Sequence, residues 1–370
     1  MSKDSRDRVP FRRRRGARLA AVATAAVIAA GGVAGGIFWL SGGYDAWRND
    51  QALDRACQGD LAAERVRELL PGVELTSSSE LRQEGWFCSV TAADAGRDGD
   101  ASVEMGIRNA EEPLGQDASV APGPGAVPLG SGWTGSFSYG TGAGSADASD
   151  GRTDRARVVL LVDCGDQSGD GLLAWADGRL KRGEDFRDGG ARARLAAVLA
   201  DTATSYARRT GCEPRSGQAL KDVSAPAAGR EPHRPLAEAS GTCAGVVDAD
   251  TARRWGAATV IETAAEPGAV ERCALGSRLG APLYTFTASY GPYGELALSG
   301  ARGDVRAAKE AVPSPSGRYR MTAECPGAGG TAVFDVTPDE GLALDHASLR
   351  IGLQQFATAS AKRHGCRPPA

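Results

Sequence analysis

A run of acidic and hydroxyl side chains between Asp166 and Asp177 has the spacing of a calcium-binding loop. The segment DQSGDGLLAWAD carries oxygen-bearing side chains at its first, third, fifth and twelfth positions, and a glycine at the sixth. Carboxylates at alternating positions of a tight loop can converge on one cation, while the glycine allows the sharp turn. The residues at the six ligand and turn positions are Asp166, Ser168, Asp170, Gly171, Leu173 and Asp177.

Two features of this segment argue against calcium. The preceding residues, RVVLLVD, have the apolar character of a strand rather than of a helix, and the twelfth position holds Asp instead of Glu. A solvated hairpin turn accounts for the same side chains. We therefore predict no resident metal or cofactor, and keep calcium binding as the alternative.

Cysteine is the second residue type that could do chemistry, and its spacing indicates a structural role. The eight cysteines are all at or after residue 57, and the closest two are 30 residues apart. The short C-x-x-C spacing of zinc and thioredoxin-like sites is therefore absent. An even number of widely spaced cysteines in an exported segment predicts disulfides. They are Cys57, Cys88, Cys164, Cys212, Cys243, Cys273, Cys325 and Cys366.

Other catalytic signals are weak. The three histidines fall in a predicted linker (His233) and at the two ends of a predicted helix (His346 and His364), where a helix cap and a dipole partner explain them. No G-x-S-x-G elbow, P-loop or H-E-x-x-H motif occurs, so we predict no catalytic residue. Trp133, in a glycine-rich stretch, is either a ligand contact or, as we prefer, the anchor of that stretch in the core.

The first 40 residues have the pattern of a membrane anchor. Residues 1–18 are strongly basic, and the 22 residues 19–40, LAAVATAAVIAAGGVAGGIFWL, carry no charge. That length crosses the roughly 30 Å hydrocarbon layer as a helix. The positive-inside rule keeps the N-terminus in the cytoplasm and places everything from the juxtamembrane segment 41–56 onward outside. The alternative is a cleaved signal peptide, in which case the chain is secreted.

An internal repeat follows the anchor. The intervals between cysteines are 31, 76 and 48 residues in the first set of four and 30, 52 and 41 in the second. The segments that end at the fourth cysteine of each set, LAAVLADTATSYARRTGC and LRIGLQQFATASAKRHGC, share eight of 18 positions without a gap. Similar blocks surround the first and third cysteines in the same order. This pattern predicts a duplicated domain.

Each copy has the same coarse order of a helix, several strands, a hairpin and a second helix, which is typical of an α+β fold. We predict an N-terminal transmembrane helix followed by two tandem disulfide-stapled domains. Each domain is a mainly antiparallel sheet with an opening and a closing helix. The predicted boundaries are residues 57–213 for the first repeat, with a Gly-rich insert at 121–151, a Pro-rich linker at 214–240, and residues 241–368 for the second repeat.

The predicted geometry of each copy suggests how the cysteines pair. A closing helix that runs back along the sheet ends near the start of the hairpin, which pairs Cys164 with Cys212. The equivalent bond joins Cys325 to Cys366, and the remaining cysteines pair within their own copies. The strand RVVLLV is apolar on both faces, so Val159 and Leu161 need a cover; we expect the insert to provide it, with the second domain as the alternative.

With its anchor and its paired blocks YARRTGC and SAKRHGC, the chain resembles secreted or membrane-anchored proteins of actinobacteria, especially of the Streptomyces type. That resemblance implies no activity. The formal charge of −3 gives no reason to expect nucleic acid. We predict a single-pass membrane protein whose outer part binds or scaffolds an envelope or extracellular partner. The alternative is an extracytoplasmic hydrolase whose site the sequence does not reveal.

Overall fold

The computed structural model describes residues 51–71, 74–82, 85–92, 101–114, 120–123, 125–140, 152–227, 233–300, 305–310 and 312–370. The predicted basic tail, the predicted membrane span at 19–40 and most of the juxtamembrane segment lie outside these ranges. Within the ranges, no helix is both long enough and apolar enough to cross a membrane. Leu53–Ala370 form one compact unit.

The first repeat forms a seven-stranded sheet whose neighbouring strands are all antiparallel, in the order β1-β2-β3-β7-β6-β5-β4. Its helices pack on one face of this sheet. The strands are β1 (Leu75–Arg82), β2 (Gly85–Ala92), β3 (Ser102–Asn109), β4 (Val127–Pro128), β5 (Thr134–Tyr139), β6 (Arg155–Asp163) and β7 (Gly171–Arg179). The helices are a 3-10 turn (Ala56–Gly59), α1 (Ala63–Leu69) and α2 (Gly189–Arg209).

The second repeat forms another seven-stranded sheet, in the order β12-β13-β14-β11-β10-β9-β8. Only its short β12–β13 pair is parallel. The strands are β8 (Arg234–Pro235), β9 (Thr259–Glu262), β10 (Val270–Gly276), β11 (Pro282–Ser289), β12 (Arg306–Ala307), β13 (Tyr319–Glu324) and β14 (Thr331–Pro338). The helices are a 3-10 turn (Leu236–Glu238), α3 (Ala249–Trp255), α4 (Pro292–Ser299) and α5 (His346–Arg363).

The fold is therefore mixed α+β with two antiparallel-rich sheets, as predicted. Five neighbouring strands of the first sheet, β1-β2-β3-β7-β6, occur in the same order as β9-β10-β11-β14-β13 of the second. An opening helix precedes the cysteine-bearing second strand of each set, and a closing helix follows the hairpin. This common order is what an internal duplication predicts.

The two closing helices begin and end with the same local devices. The Asp188 carboxylate accepts a hydrogen bond from the Ala191 N–H (2.8 Å) at the start of α2, and Asp345 caps α5 in the same way through the Ser348 N–H (3.2 Å). Gly211 and Gly365 follow the helix ends with φ of 85° and 66°. This left-handed backbone, which favours glycine, ends both closing helices.

Two apolar layers explain the strand that is apolar on both faces. One layer lies between the first sheet and its helices and contains Val158 and Leu160. The other contains Val159 and Leu161 together with residues of the second repeat, such as Tyr290 and Ala328. The second repeat, rather than the insert, is thus the main cover for the outer face of β6, with additional contacts from Val120 and from Ala121 at the start of the insert.

Four disulfides lie within the repeats and none between them in the described ranges. The bonds join Cys57 to Cys88, Cys164 to Cys212, Cys243 to Cys273, and Cys325 to Cys366. This is the pairing that the sequence predicts. Each bond closes a loop of 30 to 48 residues and restricts the unfolded chain accordingly.

Candidate functional site

The structure separates the residues of the predicted calcium loop. Asp166 lies in the turn after β6, whereas Asp177 lies near the far end of β7, which begins at Gly171. An extended strand rises about 3.3 Å per residue, so these two carboxylates are on the order of 20 Å apart. Asp177 instead pairs with Arg157 (2.6 Å), and Asp166 pairs with Arg215. No metal-holding group of three His, Cys, Asp or Glu side chains is found among the described residues.

The turn that holds Ser168 and Asp170 contacts the second repeat. Ser168 forms a β-bridge with Gly327, and the Gly169 N–H donates to the Gly327 carbonyl (2.9 Å). The Ala328 N–H donates to Asp163 Oδ1 (2.8 Å). Burial raises the pKa of the Asp163 carboxyl despite that hydrogen bond. The acidic turn is thus a hairpin turn that joins the repeats, and its residues do not form the twelve-residue calcium loop that their spacing suggests.

The other residues singled out from the sequence have structural partners. Trp133 is buried and its Nε1–H donates to the Gln218 carbonyl (2.8 Å), which confirms its role as an anchor. His233 Nδ1 lies 3.3 Å from Thr259 Oγ1, and His346 Nδ1 lies 2.9 Å from the Tyr319 hydroxyl. All eight cysteines are in disulfides, so none is available as a nucleophile or metal ligand.

The structure reveals a buried charged network around Glu271, on β10, which sequence reasoning missed. The Glu271 side chain is 0% exposed, and its carboxylate accepts hydrogen bonds from Ser360 Oγ (2.6 Å) and Arg363 Nη2 (2.5 Å). His364 Nε2 lies 2.8 Å from the other carboxylate oxygen. The Tyr290 ring stacks on His364 with centroids 3.5 Å apart, and its hydroxyl lies 2.5 Å from Ser360 Oγ.

The network keeps a full charge inside the protein. Burial by itself raises the pKa of the Glu271 carboxyl, but His364 and Arg363 outweigh that effect and hold the pKa below its ordinary value. Burial raises the pKa of Tyr290 well above its ordinary value. Because Glu271, Tyr290 and Ser360 are fully buried, a substrate cannot reach them. We assign the network a structural role.

A comparison of the two copies contains the signal that could have located this network. Glu271 lies two residues before the second cysteine of its repeat, and the equivalent position in the first repeat is Trp86. Ser360 likewise corresponds to Tyr206, and the Trp86 and Tyr206 rings pack with centroids 5.7 Å apart. A charged residue aligned with a core tryptophan indicates a buried polar network in the second copy.

The basic residues at the helix ends also have buried partners. Arg209 Nη2, at the end of α2, lies 2.6 Å from Asp60 Oδ2, and the Asp60 side chain is only 2% exposed. Arg363 holds the matching position at the end of α5 and pairs with Glu271. Cations at this end of a helix also complement the helix dipole. They also tie each closing helix to a distant part of its own repeat.

An open cleft of 580 Å³ between the repeats is the candidate binding site. That volume lies within the range typical of ligand sites. One wall comes from the insert of the first repeat, with Gly123, Ala126 and Val127, and from Ala227 of the linker. The other wall comes from residues 260–266 of the second repeat. Because three separate segments build the cleft, no single stretch of sequence carries its signature.

The charged groups of the cleft balance one another. Arg234 and Arg272 lie in its lining together with Glu262 and Glu266. The Glu262 side chain is only 4% exposed and accepts hydrogen bonds from the Ser240 N–H (3.0 Å), the Cys243 N–H (2.9 Å) and Arg234. The Glu262 carboxylate is therefore hydrogen-bonded within the protein rather than free to bind a ligand.

The described lining offers little for catalysis. Its hydroxyl side chains are Ser240 and Thr263, and no histidine lies among the lining residues. An activated hydroxyl nucleophile needs an adjacent base, and the nearby Glu262 is held by its own donors. The cleft has the volume to hold a ligand, and in its described lining no hydrogen bond joins the Ser240 or Thr263 hydroxyl to the Glu262 or Glu266 carboxylate.

The fold and the site define the protein as a disulfide-stapled α+β protein with a cleft between two related sheets. Comparisons with protein-family models, curated proteins and solved structures gave no match.

Proposed function

We propose that this is a membrane-anchored, extracytoplasmic tandem-domain protein that binds or scaffolds an envelope or extracellular partner without catalysing a reaction. The cleft carries the proposal. Both repeats and the linker contribute to this concave surface, and in its described lining no hydroxyl side chain is hydrogen-bonded to a carboxylate.

The proposed location is supported by the cysteines and by the N-terminal sequence. Four disulfides are typical of proteins that fold in an oxidising compartment, outside the cytoplasm. The basic residues 1–18 followed by the uncharged residues 19–40 have the sequence pattern of an anchor with a cytoplasmic N-terminus. Both features support a partner in the envelope or outside the cell.

A retention experiment tests the binding role. Full-length protein, held in mild detergent through an N-terminal tag, is incubated with solubilised envelope from the producing bacterium. Mass spectrometry quantifies what it retains. The test variant is Ala264→Trp, because Ala264 is exposed and lines the cleft, so the added ring fills the cleft without disturbing the core. We expect at least one component that Ala264→Trp retains about tenfold less than the wild type.

The matched control is Ala359→Trp, which places the same ring at an exposed position of α5 that does not line the cleft. We expect it to retain the component at the wild-type level. If the wild type retains nothing, or Ala264→Trp retains as much as the wild type, the cleft is not the binding site. Hydrolysis of generic esters or glycosides that Ala264→Trp abolishes would favour the hydrolase alternative.

A further inference from the structure

We propose that the contact between the two repeats is a pH-sensitive junction, which protonation of Asp163 tightens. Asp163 is the last residue of β6 and lies where the first repeat, the linker and the second repeat meet. The proposal goes beyond the binding role of the cleft and does not depend on it, because it concerns how firmly the two repeats hold together.

Three contacts fix Asp163 at this place. Its Oδ1 atom accepts a hydrogen bond from the Ala328 N–H of the second repeat (2.8 Å). Its carbonyl accepts another from the Arg215 N–H of the linker (3.0 Å). The carboxylate also packs against Gly327, where a Cβ would collide with Asp163 Oδ1. The close approach of this carboxylate to the second repeat therefore favours glycine at residue 327.

The carboxylate of Asp163 loses water at this contact without gaining an ion partner. Among the described residues, the Ala328 N–H is the one hydrogen-bond donor to the carboxylate, and no cation lies within ion-pair distance of it. An ionised carboxylate that loses hydration and gains a single N–H donor is less stable than it is in water. The neutral, protonated form loses less, so the contact favours protonation.

The charged groups around Asp163 do not reverse this preference. The loop of the second repeat that faces it, residues 325–330, has the sequence CPGAGG and carries no charge. The other segments around the turn place five titratable or charged side chains there: Glu111, Asp166, Asp170, Arg215 and His364. Burial, the largest effect, raises the pKa of the Asp163 carboxyl, and the Ala328 N–H and the two cations only partly offset it.

The equivalent residue of the second repeat shows that the contact, rather than the position in the fold, causes this setting. Glu324 immediately precedes the third cysteine of its repeat, as Asp163 does in the first. The Glu324 side chain is 64% exposed and pairs with Arg367. Asp163 is less exposed and lacks such a partner, because the second repeat covers it. The pH sensitivity therefore belongs to the contact between the repeats.

The direction of the effect follows from linkage between proton binding and the contact. While the repeats are in contact, the pKa of Asp163 lies above its ordinary value of 3.8. Protonation of Asp163 therefore stabilises the contact fully below that ordinary pKa, and the stabilisation is lost as pH rises through the raised pKa. Asp163 thus makes the contact firmer in acid than at neutral pH.

Hydrogen exchange of the full-length protein tests this junction. The test variant is Asp163→Asn, which is never ionised and whose side-chain oxygen can still accept from the Ala328 N–H. Mass spectrometry of peptides that contain the Gly169 and Ala328 amides, both bonded across the contact, measures how often the contact opens. We expect these amides to exchange at least about threefold more slowly in Asp163→Asn than in the wild type at about pH 7.5, and equally fast at about pH 3.5.

The matched control is Glu324→Gln, which removes the carboxylate at the same position of the other repeat, outside the contact. We expect it to leave exchange at the Gly169 and Ala328 amides within about twofold of the wild type at both pH values. Each variant is compared with the wild type at the same pH, so that the titration of other groups, such as Glu271, cancels.

Two results would overturn the proposal. One is exchange in Asp163→Asn that is as fast as in the wild type, or faster, at about pH 7.5. The other is a difference that persists unchanged in acid. If Asp163→Asn does not fold, Asp163→Ser removes the same charge and takes its place. No ligand is added, so the result is independent of the envelope retention experiment.

Discussion

Glu271 and Trp86 show how one position of a duplicated fold can be filled in two physically different ways. In the first repeat, Trp86 fills the space with an aromatic ring against Tyr206. In the second, Glu271 fills it with a charge, and His364 and Arg363 keep that carboxylate ionised. Apolar replacements of buried ion pairs are often neutral or stabilising, whereas removal of one partner is strongly destabilising. The network therefore makes α5 depend on a single carboxylate.

We predict that Glu271→Gln destabilises the protein by about 3 kcal/mol, because it leaves Arg363, whose side chain is only 19% exposed, without its counter-charge. Urea unfolding with intact disulfides measures the loss. The control is Glu324→Gln, which removes the exposed partner of Arg367 and should cost under about 1 kcal/mol. Equal losses from the two substitutions would show that the buried network contributes no more than a surface pair.

The same carboxylate gives the stability a predictable pH dependence. The pKa of Glu271 in the folded protein lies below its ordinary value of 4.5. Its ionised form therefore stabilises the fold at all pH values above the ordinary pKa. That contribution is lost as pH falls through the lowered pKa. The difference in unfolding free energy between wild type and Glu271→Gln should shrink as pH falls below about 4.5. A gap that widens on acidification contradicts this assignment.

At the scale of the secondary structure elements, glycine ends both closing helices. A Cβ at Gly211 or Gly365 would meet no atom within 4 Å, so only the positive φ opposes a side chain there. We predict that Gly211→Ala and Gly365→Ala each destabilise the protein by about 1 kcal/mol. The control is Gly189→Ala at the first residue of α2, where φ is not positive and the new Cβ has only ordinary contacts. That change should stabilise by up to about 1 kcal/mol.

Thermal or urea unfolding of the three glycine variants distinguishes backbone strain from a general effect of added side chains. The two capping variants should unfold more easily than the wild type and the control less easily. If Gly211→Ala is neutral or stabilising, the left-handed cap is not what ends α2.

The elements that the sequence predicted are those in which local signals and burial agree. Helix α3, the predicted opening helix of the second repeat, runs over Ala249–Trp255, because Asp248 caps its start and Gly256 takes a left-handed φ at its end. Strand β13 alternates buried and partly exposed residues as its sequence indicates. Strand β1, LTSSSELR, was missed because its residues are polar on both faces and Thr76–Glu80 are exposed. Pairing with β2, rather than apolar periodicity, makes this segment a strand.

The candidate site could be predicted much less well than the fold. The cleft joins Val127 of the insert, Ala227 of the linker and Glu262 of the second repeat, which are far apart in sequence. Their proximity depends on how the two sheets pack, and no motif encodes it. For the residues from Asp166 to Asp177 the reverse holds, because their sequence carries a motif that the structure does not form. The spacing fits a calcium loop, but the segment from Gly171 onward is extended and carries Asp177 away from the turn.

At the scale of the whole molecule, the two repeats are joined by packing rather than by disulfides. Val159, Leu161 and Trp175 of the first repeat belong to the core cluster of the second. The Tyr293 hydroxyl donates to the Val120 carbonyl (2.9 Å) across the same contact. The first part of the predicted linker also packs on the first repeat, because the Val223 carbonyl accepts from Arg192 Nε (2.7 Å).

We predict that peptide mapping under non-reducing conditions finds four bonds, each within one repeat. A bond between a cysteine of residues 57–213 and one of residues 241–368 would contradict the tandem arrangement.

Replacing Cys164 and Cys212 together with serine should lower the unfolding free energy by about 2–4 kcal/mol, because the bond closes a loop 48 residues long. A control variant with Cys325 and Cys366 replaced should lose a similar amount, since that loop is 41 residues long.

The N-terminal pattern makes the last prediction, which concerns the orientation of the whole chain. We predict that the mature protein keeps residues 1–40, sediments with membranes and exposes its disulfide-stapled part to protease added outside intact cells. Replacing Arg12, Arg13, Arg14 and Arg15 with glutamine should lower the protease-accessible fraction, because the positive charge holds the N-terminus inside. Replacing the same four with lysine keeps the charge and should leave that fraction unchanged.

Intact mass spectrometry of the mature protein decides between an uncleaved anchor and a cleaved signal peptide. A mature chain that lacks residues 1–40 and accumulates in the medium would show that the segment is a cleaved signal peptide.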